Sequence, residues 1–380
     1  MSTDTPLKIL HTENSMGWGG QEIRVLQEAK GMIDRGHEVM IACPPDAEIF
    51  PAARSMGIPA TALPIQKKKL SGFRAVCRFL RQHSFDVINT HSSTDSWLFS
   101  AAARWLRLDS GVVRTRHISA PVGTDPFTHW VYGHGAHRVV TTGERLRISL
   151  IERNRLPEKH VVSVPTGIDL DVFCPGDQLA ARKKIGLPED KFTIGIVATL
   201  RSWKGHSYLI DAAHRLNNSD LHFVIVGGGP QHENIENQLA EVGLSDQFTR
   251  PGNCDNVADW LRALDLFVLP SYANEGVPQS IMQAMACGIP VISTPVGSIE
   301  EAVVDGQTGL IVPPKDSEAL AGAIGQLVAD TSKREALAAA SWARAEERFG
   351  KEHMLDKMLD VFYSVCPKRS MRPQELRRAA

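Results

Sequence analysis

Short apolar runs alternate with helical patterns along almost the whole chain. Residues 7–11 read as a first strand, followed by the turn Gly17-Trp18-Gly19-Gly20. Val25, Leu26, Ala29, Met32 and Ile33 then recur at helical spacing up to Gly36, and 37–43 predicts a second strand. Further strands are predicted at 58–65, 85–90, 112–116, 139–142 and 161–164. Strand, turn, helix and strand in that order predict a parallel sheet with helices on both faces. The rhythm breaks over 165–176, where two prolines and two glycines predict an interdomain linker. A second α/β series follows, with strands expected at 192–198, 221–226, 266–269, 291–294 and 310–312. An Ala-rich helical stretch over 319–349 and a last helix over 351–365 complete the pattern, and the basic tail after Pro367 is expected to fray.

The expected class is therefore α/β, with two Rossmann-like doubly wound domains over 1–168 and 169–350 and the segment 351–380 packing back on the first. The 380 residues suffice for two cores of that size. Composition excludes little else. Lys and Arg total 42 against 43 Asp and Glu, so no global basic excess points to nucleic acid. The six cysteines stand at least 33 residues apart, which excludes zinc spacing; several lie in apolar runs and read as buried thiols of a cytoplasmic protein. The first residues lack a secretory pattern, and no run approaches the roughly 18 apolar residues of a spanning helix.

Charge is uneven locally. Residues 66–116 carry ten Lys or Arg against three acids. Within them Phe73, Val76, Cys77 and Leu80 form an apolar helical stripe flanked by Arg74, Arg78 and Arg81. Two readings stay open: an amphipathic face for an anionic membrane surface, peripheral on the cytoplasmic side, or a core-packed helix with solvated arginines.

In doubly wound domains ligands bind at the carboxyl ends of the strands. Gly19 and Gly20 stand at such an end, either to let N–H groups approach a phosphate or to serve a tight turn needing positive φ. Arg201 and Lys204 follow another strand and suit a diphosphate, as a planar fork and a point charge. Gly228 ends the next strand. Glu275-Gly276-Val277-Pro278-Gln279 then leads into a helix that carries Gln283 one turn on and stops at Gly288. His91 and the pair Arg116 and His117 end two strands of the first series, the latter two on the acceptor side.

This combination resembles the retaining GT-B glycosyltransferases of family 4, over nearly the whole chain. The most specific part is 275–297, which resembles the family's Glu-x7-Glu region followed by A-M-A-x-G-x-P-V-I. The resemblance implies transfer of a sugar from a nucleotide-sugar donor to a glycan or lipid-linked acceptor, as in lipopolysaccharide or cell-surface polysaccharide synthesis, with no metal or other cofactor. It implies that Arg201 and Lys204 hold the donor diphosphate, that Glu275 contacts the transferred sugar, that position 283 meets the ribose, and that His91 stands beside the reacting sugar. Gln283 departs from the family's second Glu, which costs charge-assisted hydrogen bonding. Asp169-Leu170-Asp171 spells the acid pair of metal-dependent transferases but lies in the linker. The alternatives are a nucleotide-sugar 2-epimerase and a non-catalytic nucleotide-sugar-binding subunit, the latter motivated by Gln283 alone.

Overall fold

The computed structural model describes residues 5–118 and 120–366. Its β-branched and apolar runs form thirteen strands among the described residues, all paired in parallel. The first seven are β1 (Lys8–Thr12), β2 (Glu38–Cys43), β3 (Ala60–Ala62), β4 (Val87–Thr90), β5 (Gly111–Arg116), β6 (Arg138–Thr141) and β7 (Val161–Ser163). They make one sheet in the order β3-β2-β1-β4-β5-β6-β7. The remaining six are β8 (Phe192–Val197), β9 (Leu221–Val226), β10 (Phe248–Gly252), β11 (Leu266–Leu269), β12 (Val291–Ser293) and β13 (Leu310–Ile311), ordered β10-β9-β8-β11-β12-β13. The strand order therefore reverses between β1 and β4 in one sheet and between β8 and β11 in the other. Crevices for ligands open at the carboxyl ends of such strand pairs.

The chain divides into two compact units. One comprises the segments up to His117, Pro121–Pro165 and from Glu352 onward; the other comprises Thr166–Lys351 with Ile118–Ala120. In the first unit the sheet is covered on one side by the helix Gly20–Asp34 and the final helix Lys351–Ser364, whose Met354, Leu355, Met358 and Phe362 share a core with Leu7, Ile9, Val25 and Ala29. Gly31 makes that packing possible, because a Cβ there would lie 2.4 Å from Leu355. The helices Leu70–Gln82 and Ser93–Trp105 pack with Leu10, Ile88 and Val112 in a separate cluster. The second unit has one continuous core around Ile194, Phe223, Phe267, Met282 and Ile292.

Four sequence expectations change. β10 is a strand the pattern did not predict: Phe248-Thr249-Arg250-Pro251-Gly252 carries a proline and irregular register, which only an edge strand tolerates. The stretch 319–349 is two helices, Ser317–Ala329 and Thr331–Arg348, because Asp330 leaves helical geometry and caps the second through Lys333 N. The stripe of Leu70–Gln82 faces the sheet: Val76 and Leu80 are buried and Phe73 packs beside them, so the membrane face loses its apolar part while Lys67, Lys68, Lys69, Arg74 and Arg78 stay exposed. Cys43, Cys77, Cys287 and Cys366 are buried free thiols, but Cys174 and Cys254 are half-buried. Among the described residues no helix is long and apolar enough to cross a membrane. The tail after Pro367 lies outside the described residues.

Candidate active site

Each sheet places its polar residues at the reversal point. At the carboxyl end of β1, the apolar Ile9 and Leu10 give way to His11, Thr12 and Glu13, all fully buried. At the end of β4 follow Asn89, Thr90 and His91, and at the end of β5 Arg114, Thr115, Arg116 and His117. The three histidines form one chain: His11 Nδ1 lies 3.0 Å from His91 Nε2, and His91 Nδ1 lies 2.9 Å from His117 Nε2. Neighbouring rings stack with centroids 5.2 and 5.1 Å apart. Burial lowers the basicity of all three, His11 to about 3, and the positive charge of Arg24 adds to it. His91 is 1% exposed and has both ring nitrogens engaged, which leaves neither for a ligand; His117 is half-buried. Sequence reasoning singled out His91 and His117 but not His11, whose signal is a titratable residue inside an apolar strand.

The loop after β1 is braced by two acids. Asp95, at the third position of the helix Ser93–Trp105, accepts from Thr12 Oγ1 at 2.6 Å and from the backbone N–H groups of His91 and Ser92 at 2.9 Å. Burial and the nearby Glu13 raise its pKa to about 7. Glu13 accepts from Ser15 N, Gln21 and Ser92 Oγ. It is thus committed to the loop and is no nucleophile. Gly19 precedes the helix Gly20–Asp34 with φ −178°, which any residue adopts, and a Cβ there would meet only Glu22 at 3.6 Å. The tight-turn explanation for this glycine therefore fails, and the Glu22 carboxylate reaches back to the backbone N–H groups of Gly19 and Glu22 at this helix start. Arg116 donates to the Tyr132 hydroxyl at 3.3 Å, and Arg114 is buried over the Tyr132 ring. Asn14 donates to the Gln66 carbonyl, which sets the exposed Lys67–Lys69 run beside the same loop.

In the second unit the turn Ser202–Lys204 follows β8, and residues 270–278 follow β11. Tyr272 N donates to the Trp203 carbonyl and joins the two loops. Lys204 Nζ meets Glu275 Oε1 at 2.6 Å, and Ser271 Oγ donates to the same oxygen at 2.6 Å. Glu275 is 4% exposed. Its loop is held from behind by Gly297, where φ is +62° and a Cβ would sit 1.9 Å from the Glu275 carbonyl oxygen. Arg201 is exposed, with its guanidinium over the Trp203 ring. His206 was not foreseen: it begins the helix His206–Leu216, is buried, and neither ring nitrogen has a partner among the described residues. Burial and Lys204 lower its pKa to about 4.

The helix Gln279–Ala286 starts after Pro278 and keeps Gln279 and Gln283 half-buried, while Ile281, Met282 and Met285 enter the core. Val277 is also core, so it can offer only its backbone, and the Gly276 carbonyl accepts from Ser298 N. Gly228 lies beside the Asn253 side chain, 3.0 Å from where a Cβ would stand. Its neighbour Gly227 is demanded by the protein itself, because a Cβ would lie 2.0 Å from the Ala198 carbonyl. Asp169 binds Lys351 at 2.8 Å, which lowers its pKa against the opposing effect of burial; this carboxylate is thus committed within its own unit.

Known proteins resemble both halves. Residues 18–172 match the Glycosyltransferase Family 4 model, and residues 177–343 match the Glycosyl transferases group 1 model. A D-inositol 3-phosphate glycosyltransferase of Stackebrandtia nassauensis is 30% identical over 94% of this chain and 89% of its own. One from Xylanimonas cellulosilytica is also 30% identical, over 93% and 94%. Among solved structures, a glycosyltransferase from Rickettsia africae superposes with a TM-score of 0.86 at 20% identity, over 95% of this chain and 98% of its own. Anabaena HepE in complex with UDP gives 0.84 at 22%, over 94% and 100%.

Proposed function

The chain belongs to the group 1, family 4 glycosyltransferases and has their two-domain α/β GT-B fold, and from that premise we propose that it transfers a sugar, with retention of anomeric configuration, from a UDP-sugar to a hydroxyl of a phosphate-bearing acceptor. The observation that carries the donor half is the Lys204–Glu275 pair, with the exposed Arg201 on the same loop after β8. A diphosphate arriving there meets a fork, a point charge and a helix N-terminus, and the charge that builds up as it leaves is stabilised by them. Glu275, once Lys204 turns to the phosphates, presents a carboxylate to sugar hydroxyls. UDP rather than another nucleotide is supported by Anabaena HepE, solved with UDP and with UDP-glucose. Gln279 and Gln283 lie along the helix that would meet the ribose.

In the first unit the reading passes from His91 to His117. His91 has no free nitrogen, whereas His117 ends the histidine chain with surface to spare. The leaving phosphate serves as base for the incoming hydroxyl, since Glu13 and Asp95 are tied to the β1 loop.

For the acceptor, two observations agree. The relatives are named for an inositol phosphate, and Lys67–Lys69 stand exposed beside the loop after β1. A lipid-linked or lipopolysaccharide acceptor on a membrane loses support with the burial of Val76 and Leu80. The test is transfer from UDP-sugars to D-inositol 3-phosphate and to unphosphorylated inositol. The proposal expects turnover with the phosphate ester and a rise in its KM of about tenfold or more in Lys67→Ala/Lys68→Ala/Lys69→Ala. Equal use of both acceptors, unaffected by the triple change, would remove the phosphate from the acceptor.

A further inference from the structure

Three neutral imidazoles joined by two hydrogen bonds carry three ring protons, one each. The middle ring, His91, must donate through one nitrogen and accept through the other. The pairing of Nδ1 with Nε2 at both junctions therefore permits only two arrangements. Either all three rings are protonated at Nδ1, or all three at Nε2. The ends differ in what they leave over. At the inner end, His11 Nε2 is buried, without a partner among the described residues, on a ring set edgewise to Phe362. At the outer end, His117 keeps its Nδ1 on a half-buried ring.

We propose that the buried inner end locks the whole chain in the Nδ1–H form, so that His117 presents a hydrogen-bond donor, and not a base, to the substrate. The Nε2–H arrangement would bury an N–H of His11 with no acceptor, which proteins avoid more strictly than an unused lone pair. That avoidance favours protonation at Nδ1. His11 and His91 are thus positioning residues. They act only through His117, whose Nδ1–H suits a hydroxyl or phosphate oxygen of the substrate. The inference deepens the transferase reading and rests on it for the substrate contact. The lock itself stands without it.

Long-range ¹H–¹⁵N correlation of the ¹⁵N-histidine-labelled full chain at neutral pH reads the tautomers directly. Signals are assigned by their loss in single histidine variants. The expected result is Nδ1–H on His11, His91 and His117, against the Nε2–H form that free histidine prefers. Nε2–H on His11 or His117 in the unaltered protein overturns the lock. His11→Leu leaves His91 Nε2 as the buried end of the chain without an acceptor, so His91 and His117 should keep Nδ1–H; Nε2–H on His117 in that variant would contradict the proposal. His11→Asp sets an acceptor against His91 Nε2 instead; His91 and His117 should then turn to Nε2–H and kcat should fall about tenfold with the donor KM unchanged, and a folded His11→Asp protein that keeps Nδ1–H on His117 would also contradict the proposal. Because the spectrum needs no substrate, Nδ1–H rings in a protein that transfers no sugar would sink the functional reading and leave the lock standing.

Discussion

Lys204→Met separates the structural and chemical parts of the second-unit site. Lys204 Nζ lies 2.6 Å from Glu275 Oε1, with side-chain exposures of 17% and 5%. A surface ion pair is worth about 0–1 kcal/mol, but stripping one partner from a buried pair costs about 3–5 kcal/mol. The low exposure of Glu275 puts this pair nearer the second case, because only Ser271 would then remain on that oxygen. Urea unfolding should show a loss of roughly 3 kcal/mol at unchanged m. Adding Glu275→Gln removes the stranded charge and should recover all but about 1 kcal/mol. Neither protein should regain transfer: losing a donor to the developing phosphate charge costs on the order of 10²–10³ in kcat. A Lys204→Met protein as stable as its parent, or a double variant with near-parental turnover, would refute the reasoning.

Gln283→Glu should lower the donor KM, because an ionised carboxylate accepts from ribose hydroxyls more strongly than an amide; steady-state kinetics with UDP- and GDP-sugars checks it, and an unchanged KM for both removes position 283 from the ribose. Transfer should continue in EDTA if, as proposed, Arg201 and Lys204 meet the diphosphate, because Asp169 is held by Lys351; loss restored by magnesium or manganese would reveal a metal requirement. Stability should fall as pH drops below about 6.5. His11, His91, His117 and His206 have folded pKa values below their unfolded ones, so the unfolded state binds more protons over that window. Asp95, raised to about 7, and the raised Glu22 and Glu28 work in the opposite sense, but His137, His160 and His222 join the majority. Urea midpoints at pH 7.5 and 5.0 test the sign, and a midpoint higher at pH 5.0 would reverse it.

Much of the fold could be read from the chain because parallel strands buried on both faces are written as short apolar runs. β8 and β9 are such runs, and so is β4. β10 was not legible, since an edge strand makes weaker demands on sequence and admits Pro251. The break at Asp330 was hidden in an Ala-rich stretch whose composition is helical on either side. For the site, the residue types at strand ends were visible but their pairing was not. No spacing rule brings Lys204 to Glu275 or threads His91 between His11 and His117; the sheet order β1-β4-β5 does that. The glycines show the same limit. In sequence Gly227 looks like the neighbouring Gly228, yet a Cβ at Gly227 would strike the protein's own backbone, as it would at Gly297, whereas at Gly19 it would meet only Glu22 at 3.6 Å.

Retention is the central chemical claim, and the anomeric configuration of the first-formed product tests it most directly. With an α-configured UDP-sugar and D-inositol 3-phosphate, proton NMR taken early in the reaction should show an α-linked product and free UDP in equal amounts. A β-linked product would require attack from the face opposite the leaving phosphate and would contradict the role given to that phosphate as base. Free sugar with no linked product would contradict transfer itself.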